Sequence, residues 1–172
     1  MKRKNSSNII LIGFMGCGKT TIGKALATYY KREFRDTDKM IVESSGKTID
    51  ELFSISENYF RTWERDICRS LKKKENLIIS TGGGLILNKE NRDILKDMGL
   101  TVFLKASVNC IYERTKNSNH RPLLNVSNKK EVIQSKLNER NSLYEELSNL
   151  TILVDNLTIT EIVDKIVSYY EN

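Results

Sequence analysis

The stretch Gly13-Phe14-Met15-Gly16-Cys17-Gly18-Lys19-Thr20 decides the fold of this chain. It matches the phosphate-binding pattern G-x-x-x-x-G-K-[ST] at every fixed position. The residues before it, 8–12, are typical of a short buried strand, and residues 21–31 are predicted to form a helix with apolar side chains at helical spacing. A glycine-rich turn that binds nothing would not explain the strand and the helix on either side. The segment therefore indicates an α/β protein that binds a nucleotide.

The loop supplies several groups that hold phosphate. Its glycines let successive backbone N–H groups point towards an anion, and the helix N-terminus adds partial positive charge. Lys19 reaches the outer phosphates, and the Thr20 hydroxyl is a ligand for Mg²⁺. We interpret Cys17 as a small loop residue rather than a reactive thiol. The phosphate-binding residues expected here are Gly16, Cys17, Gly18, Lys19, Thr20 and Thr21.

Length and composition predict one soluble domain, residues 1–172. The chain has 172 residues, of which 39% are hydrophobic and 29% are charged, as in globular proteins. No apolar run approaches membrane-spanning length, and the basic N-terminus is better explained as a frayed tail than as a signal peptide. Three isolated cysteines indicate a reduced, cytoplasmic protein. After the core is assigned no long apolar stripe is left over, so we expect a monomer.

The net charge of +6 has two explanations. One is a basic face that binds nucleic acid. The other is a set of anionic ligands combined with solvated lysines. Because the sequence lacks interleaved aromatic and basic residues that would stack bases, we expect no nucleic-acid partner and no membrane partner.

Apolar strands alternate with helices along the chain. This alternation predicts a parallel sheet covered on both faces. Such sheets bind ligands at the carboxyl ends of their strands, so the segments that follow strands should gather at one edge. The strand candidates are residues 8–12, 34–36, 77–81, 100–104 and 151–155. The last helix is expected to carry on one face the residues Ile159, Ile162, Val163, Ile166, Val167 and Tyr170.

Asp36 and Asp38 flank Thr37 directly after the second strand. If the chain stays extended there, both carboxylates lie on the same side. One carboxylate could then hold Mg²⁺ through water, and the other could orient or deprotonate an acceptor hydroxyl. Turn or helix-capping chemistry explains the pair equally well.

Arg140 interrupts the apolar stripe of a predicted helix. Ile133, Leu137, Arg140, Tyr144 and Leu147 recur at steps of four, three, four and three, which is the inward face of a helix. An arginine there either extends to water or meets a buried anion. In a protein that already binds phosphate, the buried anion is the favoured interpretation.

Three other segments have two interpretations each. Arg61 lies one position off an apolar stripe with Glu64 three residues on, so it forms either a surface ion pair or a contact to a carboxylate ligand. Gly82-Gly83-Gly84 follows a strand, and close approach to a ligand would explain three glycines better than a spacer. The loop around Arg121 is predicted to be mobile and exposed, with His120 in solvent. Arg121 either closes over the phosphates or is an ordinary loop arginine.

Together these motifs resemble the shikimate kinase family over nearly the whole chain. The resemblance implies that ATP and Mg²⁺ are used to phosphorylate the 3-hydroxyl of shikimate, in the biosynthesis of chorismate and aromatic amino acids. It also implies a three-layer α/β sandwich of the P-loop NTPase type, with a five-stranded parallel sheet in the order 2-3-1-4-5 and a mobile lid at about 115–128. The ordered set is the phosphate loop, Asp36-Thr37-Asp38, Phe60-Arg61 with Glu64, Gly82-Gly83-Gly84, Arg121-Pro122-Leu123-Leu124, and Arg140 before Leu143-Tyr144.

The resemblance assigns roles at the nucleotide end of the site. Lys19 and Arg121 would stabilise the charge of the transferred phosphoryl group. Thr20 and Asp36 would hold Mg²⁺. Arg114 would pack on adenine.

It also assigns roles at the acceptor end. Asp38 would grip the shikimate hydroxyls and is the candidate base. Arg61 and Arg140 would bind the carboxylate, and Gly83, within Gly82-Gly83-Gly84, would donate its backbone N–H.

The chain departs from the family pattern in the implied substrate-binding subdomain, about residues 38–72. The family usually has Ile-Glu after the position of Asp38, whereas here Val42 lies between Ile41 and Glu43. The chain also has Ser56-Glu57 where Gly-Glu is usual. We expect these changes to affect acceptor affinity or the mobility of that region while the phosphate machinery stays intact.

Two rival functions remain open at this point. Another small-molecule kinase, acting on gluconate or on a nucleoside monophosphate, shares the architecture. A nucleotide-binding switch without turnover is the second rival. Asp38 with Arg61 and Arg140 favours a polyhydroxy carboxylate as acceptor.

Overall fold

The computed structural model of the protein describes residues 7–117 and 127–172. Within these residues the chain alternates between strands and helices. The strands are β1 (Asn8–Ile12), β2 (Glu33–Asp36), β3 (Leu77–Ser80), β4 (Gly99–Lys105) and β5 (Leu150–Leu153). The helices are α1 (Lys19–Tyr30), α2 (Thr37–Ser45), α3 (Ile49–Ile55), α4 (Glu57–Leu71), α5 (Lys89–Met98), α6 (Val108–Thr115), α7 (Lys129–Leu147) and α8 (Ile159–Glu171), with a 3₁₀ turn at Leu85–Leu87.

The strands form one parallel sheet in the order β2-β3-β1-β4-β5 among the described residues. This confirms the predicted sheet and strand order. In the centre, Ile9 of β1 is in register with Ile78 of β3 and Leu100 of β4. Every residue of β1 is buried, as expected for a central strand with helices on both faces.

Two apolar clusters pack against opposite faces of the sheet. Ile9 and Leu11 of β1 belong to one cluster, whereas Ile10 and Ile12 belong to the other, because alternate side chains of a strand point to opposite faces. The helix α7 reaches both clusters, and Arg140 lies between the α7 residues that pack into each. The predicted three-layer arrangement is therefore confirmed.

Several expected boundaries differ from the structure. The first helix begins at Lys19, directly after the phosphate loop, and β5 ends at Leu153 rather than at residue 155. Ile159, on the apolar face of the last helix, begins α8 and is 49% exposed, because it lines a cavity instead of the core. Within the part of the chain described here, no helix is long and apolar enough to cross a bilayer.

Candidate active site

The phosphate loop curls between β1 and α1. Gly16 and Gly18 have φ values of +82° and +104°, a conformation that glycine adopts without strain. Gly18 immediately precedes the first residue of α1, so the N–H groups at the start of the helix open into the loop. Lys19 is 8% exposed, and its ammonium donates to the carbonyls of Gly13 at 2.8 Å and Phe14 at 2.9 Å. The cation of the loop is therefore satisfied by the loop itself.

The proposed metal ligands face each other at the mouth of the loop. The Thr20 hydroxyl donates to Oδ2 of Asp36 at 3.1 Å. The other carboxylate oxygen of Asp36 accepts from the backbone N–H groups of Asp38 and Lys39 at the start of α2. Asp36 is thus a helix cap, and it is also a neighbour of Thr20, as its predicted role as a metal ligand requires.

A hydroxyl and a carboxylate oxygen at this spacing are suitable ligands for Mg²⁺. The described residues contain no cluster of three or more His, Cys, Asp or Glu side chains that could hold a metal. A cation beside Thr20 and Asp36 would consequently take its remaining ligands from phosphate oxygens and water, as Mg²⁺ commonly does. The residues present fit the ion.

Arg114 crosses from α6 to the outer side of the phosphate loop. Its Nη1 donates to the carbonyls of Gly16 at 3.3 Å and Cys17 at 3.1 Å. Beside it the cavity wall is apolar and is formed by Leu157 and by residues at the start of α8. A guanidinium plane beside aliphatic side chains is suited to a flat aromatic base.

Arg61 lies at the opposite end of the same cavity. Its Nη1 contacts Oε2 of Glu64 at 2.7 Å, and its Nη2 contacts Oε1 of Glu57 at 2.9 Å. The guanidinium also lies over the rings of Phe53 and Phe60, 5.9 and 5.5 Å from their centroids. The Arg61 side chain is only 18% exposed, so its ion pair with Glu64 lies in the wall of the cavity rather than on the open surface.

Glu64 is a buried carboxyl group. Its side chain is 2% exposed, and burial raises its pKa to about 7 even though Arg61 opposes the shift. The charge of Asp38 adds to the increase, and that of Arg140 opposes it. Glu64 therefore titrates near neutral pH, unlike an ordinary glutamate.

Arg140 is as deeply buried as Glu64. It is 1% exposed, and among the described residues its Nε and Nη1 have no hydrogen-bond partner. The guanidinium lies 5.6 Å from the centroid of the Phe14 ring, and it lines the cavity. Because buried donors without acceptors are costly, this arrangement indicates a place for an anionic ligand.

The glycines after β3 allow side chains to approach the backbone closely. A Cβ at Gly84 would overlap the Arg61 guanidinium, and one at Gly82 would lie 2.5 Å from Oδ1 of Asp38. The Gly82 N–H donates to the Thr37 hydroxyl at 2.8 Å. Close packing against charged side chains, rather than unusual backbone angles, accounts for glycine at positions 82 and 84, since a Cβ there would displace Asp38 or Arg61.

Tyr144 connects this loop to α7. Its hydroxyl donates to the Gly83 carbonyl, and its ring stacks on Phe103 with 4.9 Å between centroids. Burial raises the pKa of this hydroxyl, so it stays a neutral donor. Tyr144 lies one helical turn after Arg140, and it therefore fixes the glycine loop relative to that arginine.

Asp38 reaches the cavity from a helix rather than from an extended segment. Of the two interpretations of this segment, the structure shows helix capping rather than an extended chain, because α2 begins at Thr37 with Asp36 as its cap. The Asp36 cap turns the backbone into a helix, and Asp38 in the first turn packs against Gly82. Both carboxylates nevertheless line the same cavity.

One cavity of about 660 Å³ joins these features. Every predicted site residue within the described ranges lines it, whereas Arg121 and most of the predicted lid lie outside those ranges. Sequence reasoning missed the aliphatic wall at Leu157 and Ile159 and the burial of Glu64. The predicted site residues that line the cavity are Gly16, Cys17, Gly18, Lys19, Thr20, Thr21, Asp36, Asp38, Arg61, Gly82, Gly83, Gly84, Arg114 and Arg140.

This fold and this cavity define a small-molecule kinase of the P-loop class. The phosphate loop marks one end of the cavity, and the other is marked by the buried Arg140 guanidinium, two of whose nitrogens have no acceptor among the described residues. The family model for shikimate kinase matches residues 15–171, and the chain belongs to the shikimate kinase family. The phosphate donor of this family is ATP, and its metal ion is Mg²⁺.

Individual relatives agree with this assignment. The chain is 39% identical over 163 residues to a shikimate kinase of Legionella pneumophila (strain Corby), which covers 94% of this chain and 93% of the relative. It is 41% identical over 165 residues to one from Thermodesulfovibrio yellowstonii, with 95% of each covered. A solved shikimate kinase from Acinetobacter baumannii in complex with shikimate has a TM-score of 0.93 and 36% identity, covering 96% of this chain and 93% of that one.

Proposed function

We propose that the protein transfers the γ-phosphoryl group of ATP to the 3-hydroxyl of shikimate, giving shikimate 3-phosphate and ADP. The reaction belongs to the biosynthesis of chorismate and aromatic amino acids. One observation carries the proposal: a single cavity has a phosphate loop at one end and, at the other, the buried Arg140 with two hydrogen-bond donors that find no acceptor in the described residues. Shikimate is a polyhydroxy acid, and its carboxylate supplies that acceptor.

At the donor end the protein binds and orients ATP. Backbone N–H groups of the loop hold the phosphates, and Lys19 leaves the carbonyls of Gly13 and Phe14 to contact the outer phosphate oxygens. Arg114 packs on the adenine. Mg²⁺ held by Thr20 and Asp36 supplies positive charge that offsets charge on the transferring group.

At the acceptor end the protein fixes one hydroxyl in line with the γ-phosphorus. Arg61 and Arg140 bind the carboxylate through charge-assisted hydrogen bonds, and Gly83 donates its N–H. Asp38 holds the ring hydroxyls and accepts the proton of the 3-hydroxyl. The oxygen of that hydroxyl bonds to the γ-phosphorus as the bond between this phosphorus and ADP breaks. Positioning and charge account for most of the catalysis of phosphoryl transfer.

The predicted lid, about residues 115–128, excludes water and brings Arg121 over the phosphates. The substrate-binding subdomain, about residues 38–72, surrounds the acceptor. This assignment of domain parts is supported by the resemblance between the motifs of this chain and those of the family.

We also propose that the protein is a cytoplasmic monomer that acts on small molecules and has no nucleic-acid or membrane partner. Its net charge of +6 is explained by anionic ligands together with solvated lysines.

Purified protein with ATP and Mg²⁺ tests the assignment. ADP should be released when shikimate is added, and ATP alone should give only slow hydrolysis. Gluconate and AMP serve as matched acceptors, one a hydroxy acid and the other a nucleotide. Turnover with gluconate or AMP but not with shikimate would contradict the proposal.

A further inference from the structure

Arg61 is held by two carboxylates that differ in their surroundings. Glu57 is 57% exposed in its side chain, whereas Glu64 is 2% exposed. Hydrogen bonding to Arg61 lowers the pKa of Glu57, while burial raises that of Glu64 to about 7. One partner of Arg61 is therefore permanently ionised near neutral pH, and the other is poised to change its charge.

The charges around Glu64 come from three elements. Within the described residues, α4 contributes Arg61 and Glu57, α2 contributes Asp38, and α7 contributes Arg140. With Glu64 ionised, two guanidinium groups face three carboxylates. Among these five side chains, the carboxylates then outnumber the guanidinium groups.

The other neighbouring titratable groups either stay neutral or act on the exposed Glu57 rather than on the buried Glu64. The charge of Glu64 acts on the buried hydroxyl of Tyr144 and on the buried thiol of Cys68. Burial raises the pKa of both groups, and the Glu64 charge adds to the increase. Both groups thus stay neutral near pH 7. Lys136 on α7 acts on the exposed Glu57.

An acceptor with a carboxylate adds a further negative charge to this enclosed site. The charge is poorly screened because the surrounding side chains are buried. Oε2 of Glu64 contacts Arg61, while Oε1 lies on the side of Gly82 that also faces Asp38. A proton on Oε1 would remove one charge and leave the contact to Arg61 in place.

We propose that Glu64 takes up one proton from solvent when the carboxylate of the acceptor binds between Arg61 and Arg140. This inference rests on the proposed function, since it takes shikimate as the acceptor. Glu64 is then a positioning residue: it holds Arg61 in both protonation states, and its neutral form leaves the charge of Arg61 to the ligand. Arg61 and Arg140 stay protonated throughout.

The coupling gives acceptor binding a defined pH dependence. Below pH 7 Glu64 already carries its proton, so this group has no effect on affinity. Above pH 7 the proton must be taken from solvent, and the Kd for shikimate rises by up to about tenfold per pH unit. Glu64→Gln mimics the neutral form and removes this rise.

Calorimetry of shikimate binding at pH 8 counts the proton directly. Binding enthalpies are measured in phosphate and in Tris, because the two buffers differ in ionisation enthalpy and the difference reports protons exchanged. We expect uptake of about one proton for the unmodified protein. The matched control Glu57→Gln, which removes the other partner of Arg61, keeps that uptake, whereas Glu64→Gln abolishes it.

Two results would overturn the inference while leaving the proposed function intact. One is shikimate binding without proton uptake by the unmodified protein, a measurement that depends on no variant. The other is unchanged uptake in a folded Glu64→Gln variant, which would assign the proton to Asp38. Failure to bind or phosphorylate shikimate at any pH would contradict the proposed function itself, and this inference with it.

Discussion

The two ends of the cavity treat their buried cations in opposite ways. At the nucleotide end, Lys19 is 8% exposed and donates to two loop carbonyls at 2.8 and 2.9 Å. At the acceptor end, Arg140 is 1% exposed, and its Nε and Nη1 have no hydrogen-bond partner among the described residues. One cation is satisfied without a ligand and the other is not.

This difference indicates that the two ends of the cavity gain the free energy of ligand binding from different sources. The loop 13–20 is preorganised by its own backbone, and phosphate replaces contacts that already exist. The acceptor end instead carries the cost of a buried charge with unmatched donors, which a carboxylate relieves. Unmatched buried donors of this kind lower the stability of the ligand-free protein and raise its affinity for a carboxylate ligand.

Removing the loop cation should have the largest effect on turnover. Lys19→Met is expected to lower kcat on the order of 10²- to 10³-fold, because a preorganised donor to the transition-state charge is lost. The Kd for shikimate should not change, since Lys19 lies at the other end. Steady-state kinetics and calorimetry measure both quantities. Lys24→Met, on the exposed side of α1, is the control and should behave as the unmodified protein.

Arg140→Ala should impair the acceptor end of the cavity and leave the nucleotide end intact. We expect the Kd for shikimate to rise by about 100-fold, because charge-assisted hydrogen bonds to a desolvated carboxylate are lost. Binding of ADP should stay near normal. Arg114→Ala is the matched control, with weaker ADP binding and unchanged shikimate binding. An equal loss of both ligands in Arg140→Ala would mean that Arg140 is structural.

Gly84→Ala is the mildest of these changes. The added Cβ would overlap Nη1 of Arg61 and lie 2.7 Å from Nη2, so the guanidinium must shift. The KM for shikimate should rise by about tenfold, or about 1.4 kcal/mol, with the KM for ATP unchanged. Gly23→Ala on α1 meets only the Phe34 ring and should lower stability without this selectivity. An unchanged KM for shikimate in Gly84→Ala would remove Arg61 from acceptor binding.

The nucleotide end could be read from sequence because its geometry is local. Eight consecutive residues contain the bend, the cation and the start of the helix, so the spacing alone indicates the chemistry. Arg140 was also visible, since a charge at an apolar position of a helical stripe marks burial. The alternation of apolar strands with helices along the chain was sufficient to predict the parallel sheet.

The rest of the acceptor end depends on tertiary packing. Glu64 is buried because α4 packs beside Gly82 and Gly84, and no local pattern distinguishes it from a surface ion-pair partner. At Asp36 the sequence fitted an extended segment and a helix cap equally well, and only the folded structure distinguishes them. Ile159 belongs to the cavity wall rather than the core, since one helical face can pack against a core along only part of its length.

Unfolding of Lys19→Met and Arg140→Met without ligand tests the central claim most directly. At pH 6 Glu64 is largely protonated, so removal of Arg140 does not leave a buried carboxylate uncompensated. The account predicts opposite signs: Arg140→Met raises the free energy of unfolding by about 1–3 kcal/mol, and Lys19→Met lowers it by about 1–3 kcal/mol because two carbonyls lose their donor. A loss of stability in Arg140→Met comparable to that in Lys19→Met would contradict the account.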